Sequence, residues 1–248
     1  LSEQRCLDPR AHGVIVRPIS VLSSEWLCTI ENDGAIRLGF SMIKGLDSAI
    51  GKRIALEKPF ASLQDFQNRV TADKVTLRTL ARIGALNGLV EHRREGLWKI
   101  ETTQRPEDLP GLTADSGTPL PLASMNAFER LEADFTGTGV TTGRHPMALI
   151  RERLPDVILA SDLPRCRNGK HVHVAGMVIC RQRPGTAKGF VFISLEDETG
   201  VSNAIVDPRL FEALVQGYVR GAGSALLAAE RAELVFASEL MTLLLGMR

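Results

Sequence analysis

The sequence predicts an α+β chain of more than one domain, with a helical region first and a β-rich region after it. Two observations carry this prediction. Helix-capping residues and apolar residues at helical spacing recur between residues 47 and 101. Residues 171–206, in contrast, hold two runs rich in Val, Ile and Phe. Residues 102–122 separate the two regions with four prolines and little periodicity, which is typical of a linker.

Charge is balanced over the whole chain but not locally. The 248 residues carry a net charge of only +1, which argues against a protein that coats DNA through an overall basic surface. Between residues 163 and 188, however, there are six Lys or Arg and no Asp or Glu. Any nucleic-acid site must therefore be a local patch, and this stretch is the first candidate.

The cysteines and the apolar runs indicate the cellular compartment. The four cysteines (Cys6, Cys28, Cys166 and Cys180) form no CxxC pair, which predicts a reduced, cytoplasmic chain without a zinc site. No apolar run reaches the ~18 residues that a membrane span requires, and no signal peptide is evident. Because the first residue is Leu, we expect a fragment of a longer protein.

Local signals place the helices and turns. Asp47 is the expected N-cap of the first helix, and Ser62, with Asp65 three residues later, resembles a capping box at the start of the second. Val75, Leu77, Leu80 and Ile83 are expected on the apolar side of a third helix. A strand is predicted over residues 36–40, and helices over residues 47–56, 72–82, 92–101, 127–134, 147–153 and 208–215, with one more beginning near Ser62.

Two glycine-containing turns between helices are candidate phosphate contacts. Lys44 and Gly45 lie in one, and Gly84 and Gly88 in the other. In a helix-hairpin-helix, such a turn lets backbone N–H groups approach a phosphate at the start of the following helix. The alternative is that both are ordinary helix connections with glycine caps.

The loop between the two β-rich runs is the second candidate. Arg181, Arg183 and Lys188 could pair with a nucleic-acid backbone while Phe190 or Phe192 stacks on a base. Strand alternation would put both phenylalanines on the same face. That face could equally belong to the core, in which case the loop is only a solvated hairpin.

No catalytic or metal-binding residue is predicted. Three consecutive carboxylates, Glu196, Asp197 and Glu198, cannot all face one ion from an extended strand, so a solvated turn is the favoured interpretation. No pairing of a nucleophile with a base is supported by spacing alone.

Several of these segments together resemble one family. Residues 144–149, 181–192 and 194–200 are similar to the C-terminal region of bacterial error-prone DNA polymerases, which are relatives of the replicative C-family α subunit. Shorter matches agree at residues 16–18, 37–40, 44–46, 59–60, 83–86 and 96–98. The resemblance covers roughly residues 10–215.

The resemblance implies an architecture. A helical helix-hairpin-helix module is followed by an OB-fold β-barrel, complete or incomplete. The expected order is the end of the fingers region at 1–30, a tandem helix-hairpin-helix module at 31–101, a linker with connecting helices at 102–162, the OB-fold at 163–220 and an atypical tail at 221–248. A truncated or frame-shifted reading explains why both ends fit the family poorly.

The resemblance also implies a function in damage-induced mutagenesis, translesion synthesis, DNA replication and DNA repair. Lys44, Gly45, Gly84 and Gly88 would contact the primer-template duplex, and Arg181, Arg183, Lys188 and Phe190 the single-stranded template. The parent polymerase transfers nucleotides with Mg²⁺ held by palm aspartates, which no position here matches, so the fragment is expected to be inactive and to need no cofactor. A sliding clamp and accessory mutagenesis proteins are the expected partners, and a membrane is not.

Two alternatives remain. The chain could be a non-enzymatic OB-fold module that binds single-stranded DNA or tRNA, because OB-folds bind both kinds of strand. It could also be a non-functional product whose OB-fold lacks its closing strands and is left with an open, aggregation-prone edge.

Overall fold

The computed structural model describes residues 13–102, 122–212 and 234–235. The predicted α+β class is confirmed, because helices and three small sheets are both present. The chain divides into two compact units, one within His12–Gly143 and one that includes Arg144–Arg248. Cys6, residues 103–121 of the linker predicted at 102–122, and most of the predicted tail at 221–248 lie outside the described residues. The predicted domain boundaries stay predictions.

The first unit is mainly helical. Its three short strands are β1 (Val16–Arg17), β2 (Thr29–Ile30) and β3 (Ile36–Arg37). They form a sheet in the order β1-β3-β2, with β3 parallel to β1 and antiparallel to β2. A short 3-10 turn at Phe40–Met42 follows the sheet. The helices are α1 (Ser48–Glu57), α2 (Leu63–Arg69), α3 (Lys74–Arg82), α4 (Arg93–Thr102) and α5 (Ala127–Gly137).

The helices of this unit begin at polar caps, as the sequence predicted. The Asp47 carboxylate accepts a hydrogen bond from the Ala49 N–H at 2.7 Å, and the Ser62 hydroxyl accepts one from the Asp65 N–H at 3.1 Å. Each cap satisfies one of the N–H groups that a helix start leaves without an internal partner. The predicted N-caps of α1 and α2 are therefore confirmed.

One hydrophobic core joins these helices. Its fully buried members include Phe40, Ile54, Phe66, Leu80 and Leu86. The predicted apolar side of α3 is confirmed at positions 77, 80 and 83 but is wrong at position 75, whose valine is 64% exposed. Two residues two positions apart on a helix point in nearly opposite directions, so positions 75 and 77 cannot both face the core.

The second unit is built mainly from strands. Its first helix ends earlier than predicted, at position 150, and a 3-10 turn at Arg151–Arg153 continues it. A second 3-10 turn covers Ala160–Arg165, and residues 208–212 are helical. The elements are α6 (Pro146–Ile150), β4 (Val157–Ile158), β5 (His173–Ala175), β6 (Met177–Gln182), β7 (Val191–Asp197), β8 (Gly200–Val206) and β9 (Leu234–Val235).

These strands form two three-stranded sheets. The antiparallel sheet has the order β6-β7-β8 and the parallel one the order β4-β5-β9. Val191, Ile193 and Leu195 alternate along β7 and form the buried face together with Val206. Within the described residues the sheets do not close into a barrel, which is compatible with an incomplete OB-fold.

No helix in the described parts of the chain has both the length and the apolar character needed to cross a membrane.

Candidate nucleic-acid interface

The turn before α1 is open to an approaching ligand. Ile43 is buried and anchors the turn, while Lys44 and Gly45 are exposed. Gly45 has a φ of +74°, and no atom lies within 4 Å of the place where a Cβ would be. Because glycine adopts this conformation without strain and leaves the backbone bare, a phosphate oxygen could reach the main chain here.

Lys44 also holds the turn against α5. Its Nζ donates a hydrogen bond to the carbonyl of Phe135 at 2.8 Å, and its backbone N–H donates one to the carbonyl of Gly137 at 2.8 Å. Both carbonyls belong to the last turn of α5, where a cation is stabilised by the helix dipole. An ammonium has three donors, so the exposed side chain can still reach a second oxygen.

The second glycine turn is closed by its own chain. Gly84 and Gly88 have positive φ angles of 81° and 101°. The Gly84 N–H donates to the carbonyl of Ala81, and the Gly88 N–H donates to the carbonyl of Val90. A Cβ at position 84 would lie 2.7 Å from the Arg93 Nε. The turn therefore needs its glycines for packing, and the predicted phosphate contacts at these two positions stay predictions.

An ion pair that sequence reasoning missed lies beside this second turn. The Arg93 Nη1 is 2.7 Å from the Asp134 carboxylate, and only 12% and 10% of the two side chains are exposed. The same nitrogen contacts the carbonyls of Arg82 and Arg130, and the Thr141 hydroxyl donates to the other Asp134 oxygen at 2.8 Å. No local pattern in the sequence indicates a pair between residues 41 positions apart.

The basic loop of the second unit presents three exposed cations. Arg181, Arg183 and Lys188 are exposed, and none of them forms an ion pair with the described residues. Arg183 packs over the ring of Phe211, with its guanidinium carbon 5.3 Å from the ring centroid. This stacking orients one face of the guanidinium.

Phe192 is the exposed aromatic residue of this sheet. It is 38% exposed and pairs in register with Gln182 and Ile205, on the face opposite the buried side chains of β7. Phe190 is half-buried and precedes the strand, where its N–H donates to the carbonyl of Ala187. Alternation along β7 therefore does not extend to Phe190, and the structure brings Phe192 to the open face.

The acidic turn is organised by a buried carboxylate, so the expectation of a fully solvated turn was wrong for Asp197. This side chain accepts hydrogen bonds from the backbone N–H groups of Ala160 at 2.8 Å, Thr199 at 2.7 Å and Gly200 at 3.1 Å. These backbone donors supply hydrogen bonds to both oxygens of the buried side chain, which a buried polar group requires. The described residues hold no group of three or more His, Cys, Asp or Glu that could bind a metal.

Glu198 in the same turn pairs with Arg151 of the preceding 3-10 turn. Its carboxylate lies 2.7 Å from the Arg151 Nε. Burial alone would raise the pKa of the Glu198 carboxyl, but the hydrogen bonds and charge of Arg151 outweigh it, so that pKa lies below its ordinary value. The pair anchors the β7–β8 hairpin to the preceding segment.

The comparisons with known proteins agree with this geometry. A family model described as "Helix-hairpin-helix motif" matches residues 13–96, which include both glycine turns. The chain is 37% identical over 218 residues to the error-prone DNA polymerase of Aromatoleum aromaticum, an alignment that covers 83% of this chain and 20% of that protein.

Two further relatives carry the same name. The identity is 40% over 210 residues to the error-prone DNA polymerase of Corynebacterium efficiens, covering 83% of this chain and 19% of that protein. The chain is 37% identical over 250 residues to the error-prone DNA polymerase of Corynebacterium diphtheriae, and this alignment covers 95% of this chain and 24% of that protein. The chain thus spans about a fifth of the length of the curated relatives it matches. As its sequence predicted, the chain resembles a part of the error-prone DNA polymerases over most of its own length, and it contains a helix-hairpin-helix motif.

Proposed function

We propose that this chain is a DNA-binding portion of an error-prone DNA polymerase that acts in damage-induced mutagenesis, translesion synthesis and DNA repair. The names of the relatives support the assignment to a polymerase. The observation that best supports DNA binding is the open turn at Lys44 and Gly45. Nucleotidyl transfer and its Mg²⁺ belong to the parent protein in this proposal. Contacts to a sliding clamp and to accessory mutagenesis proteins belong to it as well.

The duplex backbone would bind at the turn before α1. Gly45 leaves room for a phosphate oxygen beside the main chain, and Lys44 supplies a positive charge next to it. The Asp47 carboxylate already occupies the N–H of Ala49 at the start of α1. A phosphate is therefore expected beside the turn itself, where the acidic cap does not compete with it.

Single-stranded template would bind at the basic loop. Arg181, Arg183 and Lys188 can pair with phosphates because no described acidic side chain neutralises them. Phe192 lies on the open face of the strand that follows the loop and offers a flat surface for a base. Cations beside an exposed aromatic ring are the common arrangement for binding a single strand without sequence preference.

The test of the loop is the salt dependence of binding to a labelled single strand. Arg181→Ala combined with Lys188→Ala should flatten the slope of log affinity against log salt by about 1.4, at 0.7 per lost phosphate contact. The matched control removes two cations that are already paired: Lys74, which pairs with Glu101, and Lys99, which pairs with Glu95. Equal slopes for the wild type and the loop variant would contradict the proposal.

The test of the turn uses a primer-template duplex. Lys44→Gln keeps a donor for the Phe135 carbonyl but removes the charge, so it should weaken duplex binding and reduce the salt slope by about 0.9. Lys74→Gln is the control. Preference of the wild-type chain for tRNA over both DNA ligands would instead support the non-enzymatic OB-fold module.

A further inference from the structure

The strand β8 forms an edge of the antiparallel sheet. All seven of its residues pair with β7 in one continuous register from Gly200 to Val206, and the one irregularity of the sheet lies on the other side, between Val178 and Cys180. Within the described residues no strand pairs with the second side of β8. An unpaired edge of this length can accept another strand.

The hairpin geometry shows which backbone groups face that edge. The turn contains only Glu198 and Thr199, so Asp197 and Gly200 form the first hydrogen-bonded pair of the ladder. Hydrogen-bonded pairs recur at every second residue of an antiparallel ladder. The backbone N–H and C=O groups of Val201, Asn203 and Ile205 therefore point away from β7.

The sequence of β8 itself lacks the charges, prolines and bulges that often protect an edge. Residues 200–206 contain no charged side chain and no proline, and the β7–β8 register has no bulge. Val201 and Ile205 are 38% and 67% exposed and lie on the same face as Phe192. An uncharged strand with exposed β-branched residues is well suited to extend the sheet.

We propose that β8 pairs antiparallel with β8 of a second copy of this chain. A two-fold axis at Asn203 would place Asn203 opposite its own copy and Val201 opposite Ile205. All three positions present their backbone groups outward, so the pairing would form about six hydrogen bonds between the strands. The absence of charge on both strands removes like-charge repulsion, and the β-branched pairs at each end favour this register.

This contact extends two three-stranded sheets into one of six strands. Because it involves one short strand from each copy, it buries less surface than the interfaces of stable complexes, and the dimer should depend on protein concentration. The proposal does not depend on DNA binding.

The test is sedimentation velocity of the full chain over a wide concentration range. The average mass should rise from the monomer value of 27.0 kDa toward twice that value. Asn203→Pro removes an outward N–H together with the side-chain oxygen that accepts a hydrogen bond from the Ser194 hydroxyl. Ile205→Lys leaves that hydrogen bond in place and puts a charge on the edge. Each variant should lower the association constant at least tenfold. Val75→Lys, at a similarly exposed valine of α3, should leave it unchanged.

Three outcomes would overturn the proposal. One is a wild-type chain that stays monomeric at every concentration. Another is association that neither β8 variant reduces. The third is slow hydrogen exchange at the Asn203 amide in dilute, monomeric protein, which would show that another part of the same chain covers the edge.

Discussion

The guanidinium of Arg93 lies 2.7 Å from the carboxylate of Asp134 and also covers Gly84 in the second glycine turn. This pair joins the start of α4 to α5, and both side chains are nearly buried. Removing one member would leave a buried charge without its partner, which is more costly than losing a surface ion pair.

Asp134→Asn and Arg93→Met should therefore each lower the free energy of unfolding by about 3 kcal/mol. Urea unfolding followed by tryptophan fluorescence measures this, because both tryptophans of the chain, Trp26 and Trp98, lie in the first unit. Arg94→Gln, which breaks the more exposed pair with Glu129, should cost about 0.5 kcal/mol. Similar losses for the buried and the exposed pair would contradict this assignment.

The two glycine turns should respond differently to the same substitution. Gly45→Ala places a methyl group in open space and should cost only the strain of the left-handed conformation, about 1 kcal/mol. Gly84→Ala bears the same strain and must also displace Arg93, so it should cost about 2 kcal/mol more. Urea midpoints of the two variants give the comparison. Equal losses would mean that the Arg93 side chain moves aside freely.

Substitution of Phe192 should mainly affect DNA binding, whereas substitution of Phe190 should mainly affect stability. Phe192→Ala removes an exposed ring and should weaken binding of a short oligothymidylate about tenfold, with little change in unfolding. Phe190→Ala removes a half-buried ring and should mainly reduce stability. Fluorescence anisotropy and thermal unfolding measure the two effects. The stacking role of Phe192 would be excluded by an Ala variant that binds as tightly as Phe192→Trp.

The ion pairs of Glu101 should make the first unit sensitive to acid. Hydrogen bonds from Arg78 and Lys74 lower the pKa of Glu101 from 4.5 to about 2. A carboxyl with a lowered pKa in the folded state stabilises the fold above its unfolded pKa and loses that effect as the pH falls through the folded pKa.

Wild type should therefore melt at a higher temperature than Glu101→Gln near neutral pH, and the difference should shrink between pH 4.5 and about 2. Thermal unfolding followed by tryptophan fluorescence across that pH window measures it. Glu132→Gln removes a carboxylate that forms no ion pair with the described residues, and its difference from wild type should not follow this profile. A constant difference between wild type and Glu101→Gln at all pH values would contradict the prediction.

Local chemistry explains which features the sequence predicted well. Asp47 and Ser62 cap their helices as expected, because a cap depends on residues only two or three positions apart. The run of Val191, Ile193 and Leu195 forms the buried face of its strand, because alternation is a property of the strand itself. The burial of Asp197 could not be predicted in this way, because its carboxylate accepts a hydrogen bond from the N–H of Ala160, which lies 37 residues away in the sequence.

The sequence by itself determined the α+β class, the helix starts, the two glycine turns, the basic loop and the likeness to error-prone DNA polymerases. Only the tertiary structure decided that Gly45 is open while Arg93 covers Gly84, and that Phe192 is the exposed ring. The physical reason is the separation along the sequence of the residues that interact. Capping, turn formation and strand alternation depend on neighbouring residues, whereas exposure and ion pairing depend on which distant segments pack together.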